Sequence, residues 1–308
     1  MRALLIANPK ATSTSRRVRD LLVRTFSGDL DLELAETSHR DHATQLARRA
    51  ADECYDVVVA LGGDGTVNEV VNGLLTQGPS DGLPALAVLP CGSANVFARA
   101  LGLSNDPVQA TRMILDALRA GRHRTIGLGQ ADERYFTFCS GLGLDAEVVR
   151  VVEELRHSGS RANPALYVRA ALRQFFSISD RRKPALTLER PGLPPSRDLF
   201  LAIVSNTAPW TYLGRRPVFP SPRAHFNDGL DVFGTRRLDT ANTVLMLTQM
   251  LFPLSDRLQG GHVINVHDAT EITLSSSRPI AFQLDGDYLG ERESVTFRSV
   301  PKAIRIVI

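Results

Sequence analysis

The feature that most constrains the fold is a β-branched strand that runs into three glycines and then into a helix. The segment LGGDGTVNEVV, residues 61–71, follows an apolar run and has glycine at positions 62, 63 and 65. Glycine permits turns and close backbone approaches that a Cβ atom would block. The N–H groups at the start of the following helix favour a bound anion. The segment therefore predicts a phosphate-binding turn, and it is not a Walker loop because no Gly-Lys-Ser/Thr follows.

Strand and helix signals alternate over the first 120 residues. Strands are predicted at 2–8, 30–36, 56–63 and 84–90, and helices near 15–26, 39–53, 68–75, 94–101 and 106–120. The last helix opens with Asp106 as its N-cap and Pro107 in its first turn. Alternation of this kind predicts a parallel sheet covered by helices on both faces. Ligands of such sheets bind beyond the carboxyl ends of the strands, where the loops after residues 8, 61 and 90 are expected to lie.

From about residue 124 the pattern changes to short strands separated by turn residues, with helices predicted near 144–156, 163–177 and 240–251. Many short strands spaced in this way predict an antiparallel β-sandwich. We therefore predict two domains, residues 1–123 and 124–299, with a closing strand at 300–308 that returns to the first domain. The segment RPGLPPSRD, residues 190–198, is predicted to be a Pro-rich loop.

Composition sets further limits. Hydrophobic residues make up 43% and charged residues 22%, and no apolar run approaches the roughly 20 residues that cross a bilayer. Without a signal peptide, the chain is expected to be cytoplasmic. The net charge is only +3, aromatic residues are 6%, and no nucleic-acid motif is present, which argues against a nucleic-acid partner. Cys54, Cys91 and Cys139 lie far apart and are predicted to be buried thiols in a reducing compartment.

A second turn follows the next predicted strand, in LPCGSANVFARAL, residues 89–101. Pro90 ends the strand, Gly92 permits the turn, and Ser93 or Asn95 is predicted to cap the helix. A hydroxyl at this second helix start could also donate to a phosphate oxygen. Asp64, in the first loop, has a carboxylate that phosphates would repel unless a cation intervened, so we predict that it is linked to Mg²⁺.

The segments GGDGTVNEVVNGL and PCGSANVFARALG closely resemble the soluble bacterial-type diacylglycerol kinases and their sphingosine-kinase relatives. The segments GLGLDAEVV (141–149), FNDGLDV (226–232) and QLDGDYLG (283–290) follow in that family's order. The resemblance implies a Rossmann-like α/β domain, a C-terminal β-sandwich domain and an active site between them. It further implies an ATP- and Mg²⁺-dependent lipid kinase that phosphorylates diacylglycerol to phosphatidic acid. NAD kinases share the GGDGT loop but lack the second motif and the late acidic motif.

The resemblance implies nucleotide contacts around the first loops. The residues concerned are Asn8, Thr37, Gly62, Gly63, Asp64, Gly65, Thr66, Val67, Asn68, Glu69, Gly92, Ser93 and Asn95. Ser93 stands where relatives often have Thr, and the first loop has no glycine after Asn8. The resemblance also implies a structural Mg²⁺ site formed by the carboxylate of Asp228 and the backbone carbonyls of His225 and Leu230, all of them hard oxygen ligands.

The third position of Asp285-Gly286-Asp287 is where the family has its general base, usually as Glu. Asp287 would accept the proton of the lipid hydroxyl, while positioning and charge neutralisation supply the rest of phosphoryl transfer. Aspartate is one methylene shorter, so its reach must be recovered elsewhere. Asp145, in the GLGLD turn, is a second acidic candidate that could hold the metal or orient the base, or simply cap the helix. The catalytic candidates are thus Asp287, Asp145 and Asp64.

Three alternatives stay open: a sphingosine- or ceramide-type lipid kinase, a soluble NAD-kinase-like enzyme, and a regulatory nucleotide-binding protein that has lost catalysis, which Asp287 in place of Glu suggests. The expected partner is a lipid substrate, met by peripheral contact at the inner membrane surface, and a homodimer is expected. Apolar and basic side chains should flank the cleft; the candidates are Trp210, Tyr212, Phe175-Phe176 and Arg215-Arg216.

Overall fold

The computed structural model describes residues 1–11, 16–157 and 184–308. The predicted helix at 163–177 and the pair Phe175-Phe176 lie outside the described residues. The chain folds into two compact units, the first formed by Met1–Gly127 with Pro301–Ile308 and the second by Leu128–Val300. The predicted fold class, an α/β half followed by a β half, is confirmed.

The first unit contains a parallel sheet whose strands alternate with helices. The strands are β1 (Arg2–Ala7), β2 (Asp31–Glu36), β3 (Val57–Gly62) and β4 (Ala85–Pro90), in the order β2-β1-β3-β4. The helices are α1 (Arg16–Ser27), α2 (His42–Asp52), α3 (Asp64–Leu74), α4 (Val96–Ala100) and α5 (Pro107–Arg119). All six residues of β3 are buried, as expected for a strand inside a parallel sheet that is covered on both faces.

The free side of β4 is paired by the last residues of the sequence. Ile306 lies opposite Leu86 in parallel register, and the N–H of Val307 donates to the carbonyl of Leu86 at 2.9 Å. Ala303, Ile304 and Ile306 are buried there. These residues therefore complete the core of the first unit.

Two helix starts in the first unit differ in how well the sequence predicts them. Asp106 caps α5, as predicted, because its side chain accepts from the N–H of Gln109 at 2.9 Å. The helix predicted at 68–75 instead begins at Asp64. Gly63 is extended, with φ −92° and ψ −176°, so the chain turns there and enters the helix at once. Part of the predicted glycine loop is thus the first turn of α3.

The second unit is an antiparallel β structure. Its strands are β5 (Arg124–Ala131, which begins in the first unit), β6 (Arg134–Phe136), β7 (Cys139–Gly143), β8 (Leu186–Arg190), β9 (Leu193–Leu199), β10 (Leu201–Ser205), β11 (Thr211–Leu213), β12 (Arg216–Val218), β13 (Leu230–Thr235), β14 (Val263–Ala269), β15 (Glu271–Leu284) and β16 (Asp287–Ile306, which ends in the first unit). Strands β14, β13, β10, β7, β15 and β16 pair in that order. The helices among its described residues are α6 (Leu144–His157) and α7 (Thr240–Leu251), and α7 has the bounds that the sequence predicts.

Strand β15 is long enough to pair with two different strands along the same edge. Its end at 282–284 pairs with β7, and residues 273–276 pair with β8. Phe136 and Phe297 meet edge to face in the main core of this unit. A smaller core, which includes Phe233, Leu238 and Met250, lies under α7.

Two predictions about local structure are wrong. Residues 190–198 do not form only a loop, because β9 begins at Leu193 and, among the strands that the structure describes, pairs only with β8. Prolines are tolerated there because an edge strand leaves one row of N–H groups without a ladder partner. Cys54 is exposed at a turn with φ +53°, whereas Cys91 and Cys139 are buried as predicted.

Candidate active site

The loops after β1, β2 and β3 meet at the carboxyl end of the sheet. The N–H of Asn8 donates to the carbonyl of Leu61 at 3.0 Å. The side-chain Nδ2 of Asn8 donates to Thr66 Oγ1 at 3.1 Å, and the N–H of Thr37 donates to the carbonyl of Ala7 at 2.9 Å. The strand order thus brings Asn8, Thr37 and Thr66 to one edge of the sheet, where ligands of parallel sheets bind.

The loops after β3 and β4 touch backbone to backbone, and the glycines make this possible. A Cβ atom on Gly92 would lie 2.6 Å from the Cα of Gly63, and one on Gly62 would lie 2.5 Å from the Cβ of Thr66. The N–H of Cys91 donates to the carbonyl of Gly62 at 2.8 Å. The two glycine motifs, 30 residues apart in sequence, therefore form one structure.

The carboxylate of Asp64 has partners that the sequence did not reveal. One oxygen accepts from the N–H of Val96 and the other from the N–H of Phe97, both at 3.1 Å. Asp64 thereby caps α4 from a position 32 residues earlier in the chain. The premise that its charge requires a cation no longer holds, because the helix start supplies the compensating amides.

The prediction that Asn95 caps α4 is wrong. Asn95 occupies the N-cap position with φ +48° and makes no side-chain capping bond. Its Oδ1 accepts from the N–H of Gly92 at 2.7 Å, and its Nδ2 donates to the carbonyl of Gly92 at 3.0 Å. Asn95 therefore fixes the shape of the second glycine turn. Ser93, which lies between Gly92 and Asn95 in the sequence, is exposed.

The helices of the first unit differ in whether a carboxylate accepts hydrogen bonds from their first N–H groups. The carboxylate of Glu69 accepts from the N–H of Asp41 at 3.0 Å and of Ala43 at 3.1 Å, at the start of α2. Asp64 and Asp106 take the corresponding amides of α4 and α5. By contrast, Gly63 gives α3 no side-chain cap. Asp64 lies in the first turn of α3, but its carboxylate accepts from the start of α4. A phosphate is repelled where a carboxylate already caps the helix, so among α2, α3, α4 and α5 the start of α3 is the best suited to one.

Other residues of the predicted nucleotide set point into the protein. Val67 and Asn68 are buried, and the Nδ2 of Asn72 donates to Asn68 Oδ1 at 3.1 Å. The N–H of Val67 donates to the carbonyl of Gly63 at 3.1 Å. These contacts give both residues a structural role in seating α3 behind the turn.

In the second unit, Asp287 follows a tight hairpin whose first residue is strongly anchored. Leu284 pairs with Asp287, and the two residues between them, Asp285 and Gly286, have φ +49° and +81°, as in a type I′ turn. The buried carboxylate of Asp285 accepts four hydrogen bonds. The donors are the N–H and Oγ1 of Thr137 and the N–H groups of Phe138 and Cys139, at 2.7–3.1 Å. The position of Asp287 is therefore set by a turn with little freedom.

Gln283 links the same turn to Asp145, and sequence reasoning did not single it out. Its Oε1 accepts from the N–H of Gly286 at 3.0 Å, and its Nε2 donates to Asp145 Oδ2 at 2.8 Å. Burial raises the pKa of Asp145 to about 6, although the bond from Gln283 acts in the opposite direction. The alternation of β15 could have suggested that Gln283 is buried, but not that it meets Asp145. The structure thus brings together Asp145 and the hairpin that carries Asp287.

The segment predicted to hold structural Mg²⁺ is a pinned turn. The N–H of Asp228 donates to the carbonyl of His225 at 3.0 Å, the N–H of Gly229 donates to Asp268 Oδ1 at 2.6 Å, and Leu230 begins β13. A Cβ on Gly229 would lie 2.7 Å from the carbonyl oxygen of Ala269, so this position needs glycine. Asp228 is exposed. A carboxylate and two carbonyls on one short turn are an all-oxygen set, which suits Mg²⁺ with water completing its shell.

A contact between a carboxylate and an imidazole borders that turn. Asp231 Oδ1 lies 2.7 Å from His267 Nδ1 and accepts from the N–H of Asp268 at 3.1 Å. Burial raises the pKa of Asp231, while the bonds from Asp268 and His267 act in the opposite direction. No group of three or more His, Cys, Asp or Glu side chains suited to a metal occurs among the described residues. A metal at the turn would therefore depend on its backbone carbonyls.

Residues 2–131 match the diacylglycerol kinase catalytic domain family. A diacylglycerol kinase of Bacillus subtilis is 28% identical over 295 residues, which cover 94% of this chain and 90% of that protein. A diacylglycerol kinase of Staphylococcus aureus is 36% identical over 137 residues, 44% of this chain and 41% of that protein.

Solved structures share the fold over nearly the whole chain. The crystal structure of a diacylglycerol kinase from Bacillus anthracis has a TM-score of 0.71 at 19% identity and covers 99% of this chain and 96% of that one. An NAD kinase from Archaeoglobus fulgidus, solved in complex with ATP, has a TM-score of 0.53 at 10% identity and covers 100% and 94%. The fold is thus common to diacylglycerol kinases and NAD kinases. The similar sequences named above are diacylglycerol kinases. Within the described residues, no helix has the length and apolar composition needed to cross a membrane.

Proposed function

Because this chain belongs to the diacylglycerol kinase family and is a phosphotransferase with an alcohol acceptor, we propose that it transfers the γ-phosphate of ATP to the hydroxyl of diacylglycerol, giving phosphatidic acid. The observation that carries the proposal is the start of α3. Gly63 gives this helix no side-chain cap, the carboxylate of Asp64 in its first turn accepts from the start of α4, and Gly92 of a second glycine turn lies beside Gly63. The backbone N–H groups of a helix start and a backbone that glycine leaves open to close approach are what a nucleotide phosphate requires.

In this proposal the first unit binds ATP. The backbone of Gly62, Gly63 and Gly65 faces the phosphates, with Thr66 held by Asn8 at 3.1 Å. Gly92 and the exposed hydroxyl of Ser93 line the neighbouring turn. Asp64, Glu69 and Asn95 act as positioning residues, because their side chains hold the starts of α4 and α2 and the second turn.

Asp287 is the proposed general base. Its carboxylate would accept the proton of the lipid hydroxyl as that oxygen attacks the γ-phosphorus. The four bonds to Asp285 and the link from Gln283 to Gly286 fix the turn just before it. Such anchoring suits a shorter side chain, since aspartate has less reach than glutamate and must be held closer to its target. Asp145 orients the turn through Gln283.

Asp228 and the carbonyls of His225 and Leu230 would hold Mg²⁺. The cation supplies charge neutralisation near phosphate oxygens or, at a structural site, rigidity. The protein's own contribution at this turn is the contact between Gly229 and Asp268, which keeps the three oxygens on one loop.

One assay separates this proposal from the alternatives. The protein is incubated with Mg²⁺ and γ-labelled ATP and with diacylglycerol, ceramide, sphingosine or NAD in separate reactions, followed by organic extraction. Label in the organic phase with diacylglycerol is the expected result. Label in the organic phase with ceramide or sphingosine alone would favour a kinase of that lipid type. Label in aqueous NADP would favour an NAD-kinase-like enzyme. ATP binding without transfer to any acceptor would favour a regulatory protein.

The base assignment has its own test. Asp287→Asn should lower turnover by about 10²–10⁴-fold with little change in ATP affinity, because only proton transfer is removed. Glu293→Gln, an exposed change further along β16, is the matched control and should keep full turnover. Unchanged turnover in Asp287→Asn would refute the assignment.

A further inference from the structure

Helix α7 and the loop after it form an uncharged stretch on the surface of the second unit. Residues 240–255 contain no acidic, basic or histidine side chain. Asp239 caps the start of the helix by accepting from the N–H of Asn242 at 3.1 Å. The charged residue therefore lies at the start of α7, and the helix itself has none. A surface helix of a globular protein normally carries charged residues on its outer face. The composition of α7 therefore calls for an explanation.

The apolar side chains of α7 are divided between the core and the solvent. Met246 and Met250 pack with Leu238 and Phe233 on the inner side. On the outer side Val244, Leu245 and Leu247 are 58%, 53% and 45% exposed, and they are joined by Phe252 at 49% and Leu254 at 99%. We call these five exposed residues the α7 face. At 3.6 residues per turn, the helical members Val244, Leu245 and Leu247 lie on one broad arc, opposite Met246 and Met250.

Arginines border the α7 face. Strands β11 and β12 form a hairpin whose two-residue turn is Gly214-Arg215, with Arg216 following, and both arginines are exposed. The guanidinium of Arg216 lies 4.0 Å above the ring of Phe252. The N–H of Phe219, just after β12, donates to the carbonyl of Met250 at 2.9 Å, which holds the hairpin against α7.

This combination fits one kind of partner. The nearest acidic residues in sequence, Asp239 and Asp256, lie at the two ends of the uncharged stretch and not within it. Apolar side chains next to arginines are the chemistry that binds an anionic lipid surface. We propose that the α7 face and the Arg215-Arg216 turn dock on an anionic membrane. The inference rests on the proposed function, because diacylglycerol resides in a bilayer. Trp210, one of the aromatic residues expected from sequence, packs into the small core under α7 rather than on the face.

Vesicle flotation without ATP tests the proposal. The full chain is mixed with phosphatidylcholine vesicles, with or without phosphatidylglycerol. Leu245→Gln combined with Leu254→Gln should lower binding to anionic vesicles by about tenfold or more, because two exposed leucines no longer enter the lipid. Arg215→Gln combined with Arg216→Gln should lower it by about 25-fold, about fivefold per arginine, and only when phosphatidylglycerol is present. Leu193→Gln, equally exposed at 51% on β9, is the matched control and should bind like the unaltered protein.

The outcomes separate docking from catalysis. Undiminished flotation of both double variants would overturn the proposal. So would a change from dimer to monomer in light scattering with vesicle binding unaltered, since the α7 face would then join two copies of the chain. If the face governs flotation and diacylglycerol dispersed in detergent is not phosphorylated, docking stands and the proposed reaction fails. If that dispersed lipid is phosphorylated and the variants still float normally, docking alone fails.

Discussion

Replacing Asp145 with asparagine tests whether the raised pKa of this buried carboxyl makes the stability of the second unit depend on pH. The Asp145 carboxyl is 7% exposed and accepts a 2.8 Å bond from Gln283. Burial raises its pKa from 3.8 to about 6. Asparagine has the same shape and can accept the same bond, but it never ionises. The difference between the two proteins should therefore depend on pH.

The sign and the size follow from linkage. A carboxyl whose pKa is higher in the folded chain keeps its proton more tightly there, so folding is favoured at low pH and that advantage is lost as pH rises through about 6. The interval from 3.8 to about 6 corresponds to about 3 kcal/mol once the pH is well above the higher value. About 1 kcal/mol is already lost at pH 4.5. Asp145→Asn should therefore gain about 2 kcal/mol on the unaltered protein between pH 4.5 and 7.5.

Urea unfolding followed by tryptophan fluorescence measures this difference. The single tryptophan, Trp210, lies in the second unit and reports on it. Any effect of the amide that does not depend on pH is the same at both values and cancels in the comparison. Glu293→Gln, an exposed carboxyl on β16, is the control and should show an equal difference at both pH values. A stability difference for Asp145→Asn that is flat, or that falls as pH rises, would refute the reasoning.

Three further substitutions test the paired glycine turns of the first unit and the hairpin turn at Asp285. Gly92→Ala would put a Cβ 2.6 Å from the Cα of Gly63, so the free energy of unfolding should fall by about 1–3 kcal/mol and ATP binding should weaken. Gly82→Ala, whose Cβ would make only an ordinary contact with Ser80 Oγ at 3.9 Å, should do neither in the same titrations. Asp285→Asn turns an amide nitrogen toward backbone donors and should cost about 3 kcal/mol or more in urea unfolding; a loss under about 1 kcal/mol would contradict the anchoring role. Asp64→Asn should cost about 1 kcal/mol and weaken ATP binding equally with and without Mg²⁺ in calorimetry, while a loss seen only with Mg²⁺ would support the metal link.

Local chemistry explains which features could be predicted from the sequence. The bounds of α7 and the cap of α5 follow from Asp239 and Asp106, which bond to N–H groups three residues ahead. The parallel sheet follows from β-branched runs such as β3, and the meeting of the first loops follows from the geometry of such sheets.

The features that could not be predicted depend on pairs distant in sequence. Asp64 bonds to Val96 and Phe97, and Asp285 bonds to backbone groups nearly 150 residues earlier. A carboxylate beside glycines looks the same in sequence whether a cation or a remote helix compensates its charge. The contact of Gln283 with Asp145 likewise depends on the pairing of β15 with β7. These partners are the reason that several residues of the nucleotide set have a structural role.

The pairing of β4 with residues near 306 has a consequence for synthesis and for truncation. Residues 128–300 of the second unit leave the ribosome before Ile306 and Val307 can reach Leu86. Until then β4 has an open edge, and open edges of buried apolar strands promote association with other chains. A fragment ending at residue 131, as the matched family domain does, would keep that edge permanently. A stable excised first unit would have to join residue 127 directly to residue 301, and so bypass the whole second unit.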